Sequence, residues 1–223
     1  MEKLLPPEVA EQVKDFFGKL QHPVAVLLFT SSQGCEYCAE ARQLLEEVVE
    51  LSPLLELRVH DSESEADLAA HYRVSGKVPA IIIAAKDGGQ MTDYGIRFLG
   101  LPSGHEFGTL VQDILIVSSR DSGLSPATRE YLKSLEKPLH LQVFVTPTCP
   151  YCPRAVLLAH QFAMENPAQI LAEGVESMEF ADLANQYAIS GVPDTVINND
   201  AGRALGAVPE AQLLDEVRRA LAK

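Results

Sequence analysis

At 223 residues the chain is too long to be a small module dependent on staples, and it fits one large domain or two small ones, two being the better reading. A hydrophobic share of 47%, with 14 Gly and 14 Pro, excludes intrinsic disorder and collagen-like sequence. The formal charge of −13, heavier in residues 1–117, argues against duplex nucleic acid or an anionic membrane as main partner, since both require clustered Lys and Arg.

In chain order, the first element is a helix, with Val9, Val13, Phe16, Phe17 and Leu20 at helical spacing. Glu8, Glu11, Lys14 and Asp15 interrupt any apolar run there, so no secretory leader is read and a cytoplasmic location is expected. Val24–Thr30 is apolar and β-branched over strand length and runs toward Cys35-Glu36-Tyr37-Cys38. A helix follows, with Ala41, Leu44, Leu45, Val48 and Val49 on one face. Leu54–His60 is the second strand, followed by a short helix carrying Leu68 and Tyr72. Val78-Pro79 opens a third strand, Asp87-Gly88-Gly89 turns it into a fourth, and Phe107, Leu110, Val111 and Ile114 mark a closing helix. The longest apolar runs, Val24–Phe29 and Ala80–Ala85, fall far short of the ~20 residues of a membrane span.

Ser118–Pro126, rich in Ser, Gly and charge, is a boundary that divides the chain into domains 1–117 and 118–223. Beyond it the same order returns. Ser125-Pro126 caps a helix with Tyr131, Leu132 and Leu135, and the strand Leu139–Thr146 leads to Cys149-Pro150-Tyr151-Cys152. A helix with Val156, Leu157, His160 and Met164 precedes a strand expected at Val175–Phe180 and a short helix with Leu183 and Tyr187. Val192-Pro193 opens the next strand, Asn199–Gly202 is the turn, and Leu213, Leu214, Val217 and Leu221 form the closing helix. The cysteine pairs and the Val-Pro pairs repeat at an offset of 114; Ala66-Asp67-Leu68-Ala69 repeats at 115, a slip undone by Lys77, which the second half lacks. The fold class is α/β, with two tandem units, each a mixed four-stranded sheet flanked by helices and ending in an antiparallel hairpin.

Four cysteines in a chain expected to be intracellular point to redox or metal chemistry. A Cys-x-x-Cys pair between a strand and a helix places the first sulfur near free N–H groups and the positive end of the helix dipole, both of which stabilise a thiolate. Residues three apart on a first turn reach the ~5.5 Å Cα separation of a disulfide, so the pair can close and open. The exposed first cysteines, Cys35 and Cys149, are expected to attack a substrate disulfide, and Cys38 and Cys152 to resolve the mixed disulfide. Two alternatives come from other classes: a zinc-stabilised structural protein and a non-catalytic peptide binder. Zinc is disfavoured because each pair sits in its own complete unit, and Ala39 and Pro153 offer no glycine for a tight knuckle. The six histidines show no ligand spacing, so no metal or organic cofactor is implied; His160 is assigned to helix packing. Tyr37 and Tyr151 are read as local cover over the sulfurs. A carboxylate at Glu36 disfavours a Cys35 thiolate, whereas Pro150 adds no charge, so the second site is expected to be the stronger oxidant; the alternative is that Glu36 only complements the helix dipole and points into solvent.

Thr146-Pro147-Thr148-Cys149-Pro150-Tyr151-Cys152-Pro153, together with Tyr94–Pro102 and Gly104-His105-Glu106-Phe107, carry a family resemblance that spans nearly the whole chain. Each half resembles a thioredoxin or glutaredoxin fold, and the whole resembles the glutaredoxin-like protein disulfide oxidoreductases of thermophiles. The resemblance implies protein disulfides as substrates and a thioredoxin-reductase-like flavoenzyme using NADPH as electron donor. It also implies that Pro79 and Pro193 are cis, with Val78 and Val192 beside the cysteines to hold an extended substrate segment; on its own, Val-Pro is an ordinary strand-start pair. The chain departs from thioredoxins in having no Trp, and Phe29 and Val143 stand where a buried acid is often found, so no such proton acceptor is expected. Gly88-Gly89 with Asp93 is similar to the glutathione-binding end of glutaredoxins, but a hairpin turn explains it better.

Overall fold

The computed structural model describes residues 3–222. The first half runs α1 (Pro7–Phe17), β1 (Val24–Thr30), α2 (Cys38–Val49), β2 (Leu55–Asp61), α3 (Ala66–His71), β3 (Ala80–Asp87), β4 (Gln90–Leu99) and α4 (Glu106–Ser119). The second repeats it as α5 (Pro126–Lys133), β5 (Leu139–Val145), α6 (Cys152–Glu165), β6 (Ile170–Glu176), α7 (Ala181–Gln186), β7 (Asp194–Ile197), β8 (Gly202–Leu205) and α8 (Glu210–Leu221). Pro7 and Pro126 open their helices, where an N–H would have no partner, and Ser125 Oγ accepts from the Thr128 N–H. No described helix is long and apolar enough to cross a membrane.

Each half forms the expected mixed four-stranded sheet, with a parallel pair (β1 with β2, β5 with β6) and two antiparallel pairings. The halves then fuse. β4 pairs in parallel with β6, from Ile96 opposite Ala172 to Leu99 opposite Val175, giving one eight-stranded sheet in the order β2-β1-β3-β4-β6-β5-β7-β8. Two edges that would otherwise expose unpaired N–H and C=O groups cover each other. Gly95 enables the approach: its φ is +76°, and a Cβ there would lie 2.4 Å from the Ile170 carbonyl oxygen.

Alternation along β1 sends Val24, Val26 and Leu28 to one face and Ala25, Leu27 and Phe29 to the other. The first face packs under the long helices as a core continuous through both halves, including Leu110 and Ile114 of α4 and Ala159 and Phe162 of α6. The second face is covered by the short helices α3 and α7, through Ala69 and Ala184.

One strand needs correction. The strand placed at Val175–Phe180 is Ile170–Glu176; Ser177–Phe180 is a turn into α7. Glu173, Gly174 and Glu176 break its apolar run, yet all seven residues are buried because β6 has strands on both sides. Glu173 is tolerated there because Lys77 Nζ (2.6 Å), His140 Nε2 (2.8 Å) and Gln142 Nε2 (3.0 Å) all meet its carboxyl. Burial alone would raise Glu173, but the hydrogen bonds and charges of His140 and Lys77 outweigh it and hold the carboxyl down to about 2. His160, assigned to helix packing, is fully buried where α6 packs on α4, and it makes that contact through a polar network with Asp113 Oδ2 (2.6 Å) and the Arg97 carbonyl of β4 (3.1 Å).

Candidate functional site

Both cysteine pairs stand where a strand gives way to a helix. α2 begins at Cys38 and α6 at Cys152, with Tyr37 and Tyr151 as the capping residues, so each first cysteine lies just outside the first turn. The pairs are closed as disulfides, with Cα separations of 5.6 Å for Cys35–Cys38 and 5.5 Å for Cys149–Cys152. In the second pair the backbone N–H of Cys152 donates to Cys149 Sγ at 3.1 Å, the contact through which a helix start stabilises a thiolate.

The two sites differ in access. Cys35 is half-buried, but Cys149, expected to be exposed, is only 8% exposed. The loop that leads to Cys149 is held against the first half: the Pro147 carbonyl accepts from the His105 N–H at 3.0 Å, and Gly104 sits so close that a Cβ would lie 2.3 Å from the same oxygen. Tyr151 is 64% exposed and leaves most of its ring free, whereas Tyr37 is half-buried.

The Val78-Pro79 and Val192-Pro193 bonds are both cis. The carbonyls of Pro79 and Pro193 accept from Gly100 and Gly206 at 2.9 and 2.8 Å, which seats the two segments alike at the openings of β3 and β7. Glu36, Tyr37, Val78 and Pro79 line one cleft of about 590 Å³, and Pro147 of the second site's leading loop reaches it. Glu36 is exposed; its charge first, then burial, holds the Tyr37 phenol above its usual value. Pro150 is exposed beside Cys149. Among the described residues no group of three or more His, Cys, Asp or Glu is placed to hold a metal ion. Gly88 and Gly89 form the β3–β4 turn, and Asp93 is engaged by Arg97 and the Gly95 N–H.

One residue escaped the sequence reading. Phe29 and Val143 are fully buried and apolar as expected, but Glu106, at the start of α4, is 4% exposed. It lines a cavity of about 10 Å³ with Val145 and Pro147, the residues leading into Cys149. Burial pushes its carboxyl up to about 7, against the hydrogen bond from Thr109 and the charge of His160; Oε1 has no partner. An acid opening a helix is ordinarily a solvated dipole partner. Only the packing of the other half's loop over it reveals the burial.

The comparisons with known proteins agree with this geometry. A family model described as a thioredoxin domain matches residues 139–218. The N-terminal domain of the alkyl hydroperoxide reductase AhpF from Enterococcus faecalis superposes with a TM-score of 0.86 at 25% identity, covering 96% of this chain and 99% of that one. The corresponding alkyl hydroperoxide reductase component of Staphylococcus aureus is 28% identical over 198 residues, or 88% of this chain; the chain spans only 34% of that relative's length. A protein disulfide oxidoreductase from Aeropyrum pernix superposes with a TM-score of 0.86 at 33% identity, covering 96% of this chain and 92% of that one. With that identity sustained along nearly the full length of both chains, this protein belongs to the protein disulfide oxidoreductase family, built of tandem thioredoxin-like units.

Proposed function

We propose that the protein catalyses dithiol–disulfide exchange on protein disulfides at two sites, with Cys35 and Cys149 attacking and Cys38 and Cys152 resolving. The observation that carries the reading is the repeated arrangement: each pair is at disulfide spacing, at a helix start, in a unit with its own cis Val-Pro segment. In the reductive direction the first thiolate attacks one sulfur of the substrate disulfide. An enzyme–substrate S–S bond forms, and the other substrate sulfur leaves as a thiolate and takes a proton. The second cysteine, once deprotonated, attacks the enzyme's first sulfur, releases the remaining substrate thiol and closes the enzyme disulfide. The reverse sequence oxidises, and a partial sequence isomerises.

In this reading Val78, Pro79, Val192, Pro193, Tyr37 and Tyr151 hold the substrate segment, and Glu36 and Pro150 make the sites unequal. Electrons enter from a thioredoxin-reductase-like flavoenzyme using NADPH; the likeness to part of a reductase component supports a reductase partner. The domains are 1–117 and 118–223, although α4 continues two residues past that division. A cytoplasmic location belongs to the same reading, because recycling needs a compartment that keeps thiols reduced.

The test is insulin reduction by the purified chain with NADPH and a thioredoxin reductase, paired with a metal assay. Turnover that is lost when all four cysteines become Ser supports the reading. Stoichiometric zinc without disulfide reduction would overturn it in favour of a structural metal site.

A further inference from the structure

Both cysteine pairs open on the same edge of the sheet. Between β1 and β5 the strand order passes through β3, β4 and β6; the two antiparallel steps, β1 to β3 and β3 to β4, cancel, and the remaining two are parallel. β1 and β5 therefore run the same way into their cysteine pairs. Four inter-strand spacings of about 4.8 Å, widened at the strand ends by the twist of the sheet, put the pairs about 20–25 Å apart. The helices that they start lie on one face, with Leu45 of α2 and Val156 of α6 in the same core.

The cleft of about 590 Å³ fills the space between them. Along the sheet edge its lining runs from Tyr37 beside Cys38, past Pro79 before β3 and Leu101 after β4, to Met178 after β6 and Pro147, two residues before Cys149. It is a trough that joins the two sites, with a wall from each half. Its far end is held, because the Pro147 carbonyl accepts from the His105 N–H. Met178, 77% exposed, offers an unbranched thioether that adapts to varied sequence.

We propose that the two sites share this trough as one docking surface for an extended segment of a disulfide-bearing polypeptide, and so engage one protein partner at a time. The inference rests on the exchange reading and adds to it how the sites divide their partners. A partner joined to Cys35 lies beside cis Pro79 and extends along the trough over Pro147, the approach to Cys149. A protein contact of about 800 Å² per partner is roughly 30 Å across, so two footprints centred about 20–25 Å apart overlap. A small disulfide has no such footprint and reaches both sites at once.

The experiment uses the full chain with both second cysteines replaced, Cys38→Ser with Cys152→Ser, reduced so that Cys35 and Cys149 are free. Two thionitrobenzoate mixed disulfides are compared, that of cysteine itself and that of a domain-sized protein with a single cysteine. Each capture forms a chain–reagent S–S bond and releases one coloured thionitrobenzoate. The cysteine reagent should load both sulfurs. The protein reagent should load one copy per chain by native mass spectrometry, although it loads either sulfur when the other is also replaced, by Cys149→Ser or Cys35→Ser. Met178→Asp in those single-thiol chains should lower the ratio of protein to cysteine capture rates at both sulfurs by about tenfold, the scale of losing one buried apolar side chain. Two protein copies on one chain, a sulfur that refuses the protein even alone, or a Met178→Asp effect confined to one sulfur would overturn the shared trough. A chain that captures neither reagent overturns the exchange reading and this inference with it.

Discussion

At the scale of single residues, the first sulfurs of the two pairs meet opposite surroundings. Cys149 receives an N–H from the first turn of α6 and has uncharged Pro150 beside it; Cys35 has Glu36. Burial of Cys149 works against its thiolate, but the direct N–H donor at 3.1 Å, at the positive end of α6, favours it. Cys149 is therefore expected to have the lower pKa by pH-dependent alkylation, and Glu36→Gln to lower that of Cys35; equal values with no response would remove the electrostatic explanation. Burial holds the Glu106 carboxyl up to about 7, so ionising it costs stability as pH rises through that range, and Glu106→Gln should make the protein more stable at pH 8 relative to pH 5 in denaturant titrations; an unchanged difference would contradict this. The four cysteines were legible because their types and spacing carry the chemistry locally. Glu106 was not, since its burial depends on Pro147, some forty positions away.

At the scale of elements, β6 shows where periodicity fails. A strand flanked on both sides has no solvent face to keep alternation, and its glutamates read as a break until Lys77, His140 and Gln142 are placed around Glu173. The Lys77 insertion was visible as a slip in the repeat; its partner across the halves was not. Because the Glu173 carboxyl lies below its unfolded value, its contribution to stability is full above about pH 4.5 and is lost as pH falls toward 2. Glu173→Gln should lower stability at neutral pH by up to about 3 kcal/mol and flatten the acid limb of the stability curve, measured by denaturant titration at several pH values. Gly104→Ala drives a Cβ against the Pro147 carbonyl, so it should lift the loop and speed alkylation of reduced Cys149. An unchanged rate would mean that another contact limits access.

At the scale of the whole molecule, the repeat foretold two units but not their union, because nothing in one half's alternation marks β4 and β6 as each other's partners. The observed pairing gives one sheet and one continuous core under the long helices. Thermal unfolding should therefore be a single transition, coincident for probes in either half, rather than two independent steps. The shared frame also places two exchange sites on one scaffold, and the claim that both perform exchange is tested most directly by trapping. Full-length Cys38→Ser and Cys152→Ser chains, reduced and then mixed with a disulfide-bonded protein, should each form a dithiothreitol-reversible adduct, mapped by mass spectrometry to Cys35 and Cys149 respectively. Adducts that form only in the Cys35→Ser and Cys149→Ser chains, or in none of the four, would contradict the assignment.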